Sequence, residues 1–351
     1  MQQKIKISCL PVANRYNPYQ YLMMQGLAKS DRLQVQHGAP GSIFAFMRTA
    51  LFQRPDYLHL DWIHRYYLRG AGWKTRLTLP LFYFEIWFIS VFTSVKIVWT
   101  LHNIHPHGSK QEQKISKNVR RFLAKKATFI RIFNETTLAR ATAALKIEAD
   151  KFKIIPEGSY VGYYPDEVRR PDAKKKIGIP STKKMIVNLG TIRPYKGIED
   201  LIRTFDEINH ADWYLCIAGA SWDDKYIRTL RHLAQSGATA DRILFNIRKI
   251  PDEELQYFFN AAELAVFPFR NIENSGSVIL AMGFGLPVVT VNAGVPADRL
   301  RQQRQLLFTD DLRSVLTKAM KSEAHILSEI GQNNIASVQQ YKWEDYVSAF
   351  V

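Results

Sequence analysis

Two basic side chains follow a glycine that ends an apolar run. The run MIVNLG covers residues 185–190, and Arg193 and Lys196 come shortly after Gly190, just before an amphipathic segment. A turn from strand to helix presents backbone N–H groups and the positive end of the helix dipole, which stabilise a bound phosphate. Arg adds a fork of donors and Lys a point charge. The pattern predicts a phosphate site, with a solvated basic turn as the alternative.

A second candidate anion site follows, where an apolar run ends in a polar loop and a new apolar helix is predicted over 278–284. A capping Asn or Ser and a glycine in such a loop let backbone N–H groups approach an anion. The alternative is an ordinary N-cap without a ligand. Two anion sites in one Rossmann-like half predict a diphosphate ligand. The candidate anion-binding residues of this loop are Glu273, Asn274, Ser275, Gly276 and Ser277.

The acidic and histidine residues are not spaced as metal ligands usually are. Asp223-Asp224 and Asp310-Asp311 stand where helix caps are expected. His105 and His107 have no thiolate or carboxylate cluster around them in the sequence. We therefore predict no metal site and no cofactor besides the substrates.

Strand-like apolar runs alternate with helical segments along the chain, which favours an α/β fold with parallel sheets covered on both faces. The stretch 169–184 between two such series is polar, charged and broken by Pro and Gly, which is typical of a linker. We predict two Rossmann-like domains with a cleft between them. They are an N-terminal domain at 1–168, the linker at 169–184, a C-terminal domain at 185–335 that holds both predicted anion sites, and a C-terminal helix at 336–351 that packs back toward the first domain.

The 351 residues carry a formal net charge of +16, nearly all of it in the first half. Residues 1–171 hold 26 Lys+Arg against 11 Asp+Glu, whereas residues 172–351 hold 22 against 21. A basic half can meet nucleic acid, an anionic membrane or an anionic substrate, or it can serve solubility alone. No helix-turn-helix, RNP or zinc-finger pattern accompanies the charge, so we predict no nucleic-acid partner.

The segment LTLPLFYFEIWFISVFT (77–93) is unusually apolar and aromatic. Pro80 and Glu85 interrupt it, and Arg76 and Lys96 flank it. Three interpretations are open: a buried core helix, a monotopic helix that dips into one leaflet, and a membrane span.

The compartment is predicted from the start of the chain and from its two cysteines. The first residues lack a long apolar signal-peptide core, and Cys9 and Cys216 lie in separate apolar runs that suit buried free thiols. We expect a cytoplasmic protein, bound peripherally to an anionic membrane surface as a monotopic protein on the inner face of the cell membrane.

Several motifs, in a fixed order over nearly the whole chain, resemble those of GT-B glycosyltransferases. The chain is similar to the broad family 4 group and, more closely, to the β-mannosyltransferase family of xanthan assembly. The resemblance implies a GT-B fold in which basic side chains and helix dipoles replace a metal ion. The motifs are Asn17-Pro18-Tyr19, HLDW (59–62), TLHNIHPH (100–107), Asn134–Thr137, LGTIRPYKG (189–197), LCIAG (215–219), NSGS with FGLPVV (274–289) and Tyr341–Glu344.

One departure from family 4 concerns the reaction's stereochemistry. Members of that group typically carry two glutamates eight positions apart around the 274–277 loop, but Ile272 and Leu280 occupy these positions here. Glu273 is one residue out of register. The loss of both glutamates resembles the NSGS-bearing relatives, among them the inverting β-mannosyltransferase, and so favours inversion.

An inverting transfer needs a carboxylate or imidazole that takes a proton from the acceptor hydroxyl. The resemblance places this base in the N-terminal half. His102 follows a predicted strand, where α/β sheets bind ligands, but a structural hydrogen-bonding role is equally open. Glu157 stands in a turn where related sequences have His; it contacts the donor sugar or caps the turn. The candidate catalytic residues are Asp61, His102, Glu135 and Glu157.

The resemblance implies transfer of a sugar from a nucleotide-sugar donor to a lipid-linked glycan acceptor, in exopolysaccharide or capsule biosynthesis. The domain at 1–168 would then face the acceptor and the membrane. The domain at 185–335 would bind the donor through Gly190, Arg193, Lys196 and the candidate residues of the 273–277 loop. Mannose from GDP-mannose, transferred with inversion to a β-linkage, is the favoured reaction. The alternatives are a retaining family 4-type transferase with a UDP-sugar donor, and a non-catalytic membrane-bound partner that keeps the fold, because fold alone does not establish activity.

Overall fold

The computed structural model describes residues 3–12, 18–69, 72–104 and 109–351. His105, His107 and Asn17 lie outside these residues. The chain divides into two compact units: unit 1 comprises Met1–Gly158 and Tyr341–Val351, and unit 2 comprises Ser159–Gln340.

Unit 1 contains a six-stranded parallel sheet with the strand order β2-β1-β3-β4-β5-β6. Leu60 in β3 pairs with Trp99 in β4, so the residues that follow these two strands emerge at the same edge of the sheet. The strands are β1 (Ile5–Leu10), β2 (Leu33–His37), β3 (Tyr57–Leu60), β4 (Lys96–Thr100), β5 (Phe129–Ile132) and β6 (Phe152–Ile154).

The helices of unit 1 pack on this sheet around a core that includes Leu58, Ile97 and Ile130. Ser109 and Glu112 form a capping box at the start of α5, and Asn134 caps α6. The helices are α1 (Pro18–Ala28), α2 (Ala45–Arg48), α3 (His64–Tyr67), α4 (Gly72–Phe92), α5 (Lys110–Lys126) and α6 (Glu135–Leu145), with a π turn at Thr49–Gln53 and a 3-10 turn at Ala149–Lys151.

Unit 2 repeats the architecture with the strand order β12-β11-β10-β7-β8-β9, again all parallel. Ile186, Leu215 and Val266 belong to its core. Because β7 lies between β10 and β8, the loops that follow these three strands are neighbours. The strands are β7 (Lys184–Leu189), β8 (Trp213–Ala218), β9 (Ile243–Asn246), β10 (Leu264–Phe267), β11 (Val288–Val291) and β12 (Leu307–Phe308).

The helices of unit 2 confirm two capping predictions. Asp223 Oδ1 accepts a hydrogen bond from Tyr226 N at 2.9 Å, and Asp311 Oδ1 accepts one from Ser314 N at 2.9 Å. The helices are α7 (Arg170–Ile177), α8 (Ile198–Ile208), α9 (Asp224–Gln235), α10 (Leu255–Ala261), α11 (Gly276–Gly283), α12 (Gly294–Arg299), α13 (Leu312–Lys321) and α14 (Ala324–Gln339), with 3-10 turns at Pro194–Lys196, Ala240–Arg242, Asp252–Glu254 and Arg301–Leu306.

The linker predicted at 169–184 is wrong, because most of this stretch is structured within unit 2. Pro171 stands in the first turn of α7, and Gly178 ends the helix in the left-handed conformation at φ +85°. Lys174 is buried, and its Nζ lies 2.8 Å from Glu263 Oε1. The lysine-rich sequence is therefore a helix that ends at Gly178 and forms a buried ion pair with Glu263 outside the helix.

The C-terminal helix predicted at 336–351 is also divided differently. Residues up to Gln339 complete α14 in unit 2, whereas Trp343–Ala349 form a 3-10 helix in unit 1. Tyr346 lies over the guanidinium of Arg131 at 4.2 Å, which joins this last segment to β5.

Helix α4 is long and apolar enough to cross a membrane by length and composition, and 28% of its most apolar window is buried. It packs on unit 1 through Phe82, Ile86 and Ile89. The opposite face is exposed, so α4 is a core helix on one side only. Both cysteines are buried and free, as predicted.

Candidate active site

Gly190 stands at the end of β7, where the chain turns toward Arg193 and Lys196. Its φ of +136° is a conformation that other residues rarely adopt. A Cβ atom at this position would lie 2.6 Å from Ser277 Oγ and 2.9 Å from Lys196 Nζ. The absence of a side chain therefore lets Lys196 and Ser277 approach one point at the sheet edge. The two predicted anion sites, far apart in sequence, meet there.

Lys196 is a buried cation at this point, with only 6% of its surface exposed. Burial lowers the pKa of its ammonium group to about 8. Its Nζ lies 5.8 Å from the ring centroid of Phe269, and no carboxylate in the described part of the chain forms an ion pair with it. A bound anion would supply the missing counter-charge.

Arg193 lies on the open side of the same turn. Its side chain is exposed, and its guanidinium carbon lies 5.1 Å from the ring centroid of Trp222. Trp222 follows β8, the neighbour of β7, and is 72% exposed. Sequence reasoning missed this tryptophan, although an aromatic residue soon after the LCIAG run was a signal for it.

The 274–277 loop opens α11. Ser275 Oγ accepts a hydrogen bond from Val278 N at 3.4 Å, and Asn274 Oδ1 accepts one from Ser275 N at 2.9 Å. A Cβ atom at Gly276 would meet no atom within 4 Å, so the start of the helix is open. The first turn of a helix leaves N–H groups without intrahelical partners, which suits an anion.

Glu273 precedes this loop and has a different position. It is buried, and its backbone carbonyl accepts a hydrogen bond from Val295 N at 2.8 Å. The contact anchors the loop to α12. Neither Ile272, which is buried, nor Leu280, within α11, can replace a catalytic glutamate.

In unit 1, the structure brings two of the predicted catalytic residues together. His102 Nε2 lies 2.8 Å from Asp61 Oδ1, just beyond the paired strands β4 and β3. An ionised carboxylate only accepts, so His102 donates through Nε2 and keeps a lone pair on Nδ1 when neutral. The ring is stacked on Trp62 at 4.6 Å and contacts Tyr19 edge-on at 4.9 Å. These contacts fix the imidazole's orientation.

Asp61 is completely buried, and its surroundings keep it ionised. Burial alone would raise the pKa of its carboxyl group, but His59, the hydrogen bond from His102 and the charge of Arg131 lower it below the usual value. Gln20 Nε2 donates to Asp61 Oδ2 at 3.3 Å. The carboxylate can therefore orient His102 and stabilise its protonated form.

His59 lies next to Asp61 on the side of the strands, and it is too weak a base to take part in the proton transfer itself. Burial lowers its pKa to about 4, which keeps the ring neutral. Its Nε2 lies 3.0 Å from Thr100 Oγ1, and its Nδ1 lies 3.5 Å from Asp61 Oδ2. His59 and Thr100 stand in two of the motifs, at 59–62 and 100–107, but sequence reasoning gave no role to them or to Gln20, because such roles depend on contacts between strands.

A cavity of about 130 Å³ adjoins His102. Its polar lining comes from the β4–α5 connection and from α5, where Arg120 donates to the carbonyls of Asn103 and Ile104. The lining residues include Trp62, His64, Asn103, Ser116 and Arg120. The cavity places His102 beside a space that a small polar group can enter.

The other two predicted catalytic residues do not join this pair by any described contact. Glu135 is exposed in the first turn of α6, where a carboxylate complements the helix dipole. Glu157 is buried, and its negative charge is one of the causes that raise the pKa of the Tyr19 hydroxyl, after burial itself. Among the described residues, no group of three His, Cys, Asp or Glu side chains could hold a metal ion.

The chain resembles known proteins both in sequence and in fold. Residues 169–323 match the family described as Glycosyl transferases group 1. Over 318 residues the chain is 24% identical to GDP-mannose:glycolipid 4-beta-D-mannosyltransferase of Xanthomonas campestris pv. campestris, a match that covers 87% of this chain and 83% of the relative. It is 24% identical over 281 residues to D-inositol 3-phosphate glycosyltransferase of Corynebacterium efficiens, with 77% and 62% covered.

Solved structures share the fold along the whole chain. Sucrose-phosphate synthase from Thermosynechococcus elongatus gives a TM-score of 0.76 at 17% identity, covering 99% of this chain and 97% of that one. HepE of Anabaena, in complex with UDP and glucose, gives 0.72 at 16% identity, covering 98% of each chain.

The chain is a glycosyltransferase with the GT-B fold, and residues 169–323 are similar to the group 1 glycosyl transferases. The resemblance to the xanthan-assembly β-mannosyltransferase family agrees with the Xanthomonas relative found by comparison.

Proposed function

We propose that this enzyme transfers mannose from GDP-mannose to a lipid-linked oligosaccharide and inverts the anomeric configuration to a β-linkage. The observation that carries the donor site is the meeting of buried Lys196 with Ser277 at Gly190. The named activity of the Xanthomonas relatives, at 24% and 26% identity, supports mannose as the sugar and a glycolipid as the acceptor.

The donor diphosphate binds to unit 2 in this proposal. Lys196 supplies a desolvated positive charge, and Arg193 supplies a guanidinium fork from the open side. The start of α11, at Gly276 and Ser277, adds N–H groups and the helix dipole. These groups stabilise the charge that develops on the diphosphate as its bond to the sugar breaks, without a metal ion.

In unit 1, His102 is the general base and Asp61 its positioning residue. The acceptor hydroxyl loses its proton to His102 Nδ1 as its oxygen bonds to the anomeric carbon. The bond from that carbon to the diphosphate oxygen breaks in the same step, and the nucleoside diphosphate leaves with the electron pair. Asp61 stabilises the imidazolium that forms, as a buried carboxylate does in other catalytic pairs.

Two further features support inversion and the choice of base. Ile272 and Leu280 stand where family 4 members typically carry two glutamates, so neither position offers a carboxylate that could act as the base. The cavity beside His102, about 130 Å³, is smaller than the pocket of a whole ligand, roughly 300 Å³ or more. It suits the single sugar hydroxyl that attacks and its nearest atoms.

A retaining transfer from a UDP-sugar is the second candidate. The solved HepE structures contain UDP with glucose and UDP-glucose, and the Corynebacterium relatives are D-inositol 3-phosphate glycosyltransferases. These observations favour a donor with a different nucleotide base and a different sugar, bound on the same fold. The loops that select them diverge without changing the fold.

The test is a donor panel on the purified protein, with and without EDTA. A donor that binds the native state raises the melting temperature, and we expect GDP-mannose to do so more than UDP-glucose or GDP. Turnover with a lipid-linked oligosaccharide extract, followed by proton NMR of the product's anomeric signal, then reports the linkage. An α-linked product, selectivity for a UDP-sugar, or loss of activity in EDTA would contradict the proposal.

A further inference from the structure

Helix α4 packs on unit 1 with one face and exposes an apolar face on the opposite side. The buried face consists of Phe82, Glu85, Ile86 and Ile89. The residues on the other side recur every three or four positions, as one face of a helix does, and none of them is charged. This outer face consists of Trp73, Leu77, Pro80, Phe84, Trp87 and Val91, all exposed.

The outer face is long and aromatic. The helix has 21 residues, which at the usual rise per residue is about 31 Å. Leu77 is 66% exposed and Trp73 62%. Near the other end, Trp87 contacts the ring of Phe92 at 5.4 Å, and Phe92 is also exposed. A soluble surface rarely exposes a continuous apolar stripe of this length unless the stripe binds something.

The charges around α4 are basic. Lys74 and Arg76 are exposed in its first turns, and Lys96 is exposed just after it. Its one acidic residue, Glu85, is buried and accepts hydrogen bonds from the backbone N–H groups of Phe46 and Met47 at 2.8 and 3.0 Å. Unit 1 as a whole carries 25 Lys+Arg against 11 Asp+Glu.

A second exposed apolar segment is attached to the same helix. Phe46 packs on Phe82 with ring centroids 5.5 Å apart, which holds α2 and the following π turn against α4. Phe44 and Phe52 of this segment are exposed, and Phe52 is 82% exposed. Exposed arginines accompany these side chains at positions 48 and 54.

We propose that the outer face of α4, together with the exposed side chains of residues 43–54, docks unit 1 onto an anionic membrane by inserting into the interface of one leaflet. Aromatic and aliphatic side chains enter the acyl boundary while the flanking Lys and Arg side chains meet the anionic headgroups. A membrane span fits the fold less well, because it would remove Phe82, Ile86 and Ile89 from the core of unit 1. A second copy of the chain is a poorer occupant, because two basic units repel each other.

The role of this surface, which is to bring unit 1 to a lipid-linked acceptor, rests on the proposed function. The docking itself rests on exposure and charge alone. Vesicle binding and sugar transfer must therefore be measured separately on the same full-length protein.

The experiment is co-sedimentation with vesicles of neutral phosphatidylcholine alone or of phosphatidylcholine mixed with anionic phosphatidylglycerol, at low and high salt. The variants are Phe84→Ser/Trp87→Ser and Trp73→Ser/Leu77→Ser. Tyr21→Ser, an exposed aromatic residue of unit 1 that lies off α4, is the matched control. Melting temperatures verify that each variant is folded.

We expect the wild type and Tyr21→Ser to bind anionic vesicles and to keep part of that binding at high salt. Each α4 double variant should bind at least tenfold more weakly and lose the salt-resistant part. Absence of wild-type binding at low salt overturns the proposal, as do α4 variants that bind like the wild type. Wild-type self-association that both double variants abolish, without vesicle binding, identifies a dimer interface instead.

The transfer assay separates the two proposals. Vesicle binding as expected without transfer of any sugar rejects the proposed function and leaves the docking surface in place. Transfer to a detergent-solubilised acceptor without vesicle binding rejects the docking surface alone.

Discussion

At the scale of single residues, a buried cation without a carboxylate partner indicates a ligand. Lys196 loses most of its hydration, which is why its pKa falls to about 8, and the described residues offer it no ion pair. Folding this lysine into the unit costs free energy that a structural role would not explain. An anion at Gly190 and Ser277 removes that cost, so donor binding and protonation of Lys196 are linked.

Lys196 therefore predicts how donor affinity depends on pH. Protonated Lys196 binds the diphosphate, so the donor Kd should rise above pH 8, approaching tenfold per pH unit, until the pKa of the complex is reached. Lys196→Arg keeps its charge and should show a flat profile between pH 7 and 9. Lys196→Ala should bind at least tenfold more weakly, a loss of about 1.5–3 kcal/mol.

Isothermal titration of the donor at pH 7, 8 and 9 measures these affinities. The Arg variant also serves as the control for titration of the nucleotide base, which it shares with the wild type. Identical pH profiles for the wild type and Lys196→Arg would remove Lys196 from the donor site.

The His102–Asp61 pair predicts a loss of turnover without a loss of donor binding. His102→Ala should lower kcat by about 10²–10⁴-fold, the range for general base catalysis. Asp61→Asn should lower kcat too, because an amide no longer fixes the imidazole's tautomer or stabilises its charged form. If Asp61 acts through His102, Asp61→Asn should cost little further activity in the His102→Ala background.

The measurements are kcat, donor KM and melting temperature for both single variants and the double variant. Glu135→Gln, an exposed carboxylate outside the pair, is the matched control. Additive losses in the double variant, or a Glu135→Gln enzyme that is as inactive as His102→Ala, would contradict the assignment.

Sequence reasoning predicted part of this site for a clear reason. Gly190, Lys196 and Ser277 lie in turns after buried strands, and parallel strands bring such turns to one edge. Asp61 and His102 were candidates for the same reason, but their contact depends on the β3–β4 register. His59 and Arg131 were missed because a strand residue's partners are set by tertiary packing, which local pattern does not contain.

At the scale of elements, the long parallel strands and the amphipathic helices were the predictable part. The apolar run at 185–190 forms β7 (Lys184–Leu189), and the helix predicted over 278–284 forms as α11 (Gly276–Gly283). Strand β2 was missed: only Leu33 of its five residues is fully buried, so no continuous apolar run marks it. Helix α7 was taken for a linker because its lysines obscure the cap signals and the buried Ala173.

The start of α11 predicts a defect confined to ligand binding. A side chain at Gly276 meets only open space, so Gly276→Val should leave the melting temperature within a degree or two of the wild type. The same side chain fills the space in front of the first N–H groups of the helix, so donor affinity should fall at least tenfold. Ser277→Ala, which keeps the backbone donors, should lose less.

Thermal unfolding and donor titration of both variants test this expectation. Gly190→Ala is the contrasting variant, because its new Cβ would strain the backbone and clash with Ser277 and should therefore lower stability as well. Normal donor affinity in a folded Gly276→Val enzyme would show that the diphosphate does not bind at α11.

At the scale of the whole molecule, the chain completes unit 1 only with its last residues. Trp343 packs where Gly26 and Gly158 have no side chains, and Lys29 forms an ion pair with Glu344. The charge follows the same division, since unit 1 holds nearly all of the basic surplus. Unit 1 is built from two segments that are distant in sequence. Its stability therefore depends on the contacts that residues 341–351 make with residues 1–158.

A substitution at Tyr346 should show how far the stability of unit 1 depends on residues 341–351. The side chain is 1% exposed and lies 4.2 Å from the Arg131 guanidinium, which donates to the carbonyls of Ile155 and Pro156. Tyr346→Ala removes a large buried ring and the cation–π contact, so the free energy of unfolding should fall by about 3–5 kcal/mol. Val351→Ala, an exposed change in the same segment, should have little effect.

Hydrogen exchange on the intact protein locates the loss. Amides of β4 and β5 in unit 1 should exchange faster in Tyr346→Ala, whereas those of β7 and β8 in unit 2 should keep their protection. Equal loss of protection in both units would show that the last segment stabilises the chain as one cooperative body. Unchanged protection in β5 would mean that Tyr346 contributes nothing to the unit that it covers. Either result would contradict the view that residues 341–351 act as the closing element of unit 1.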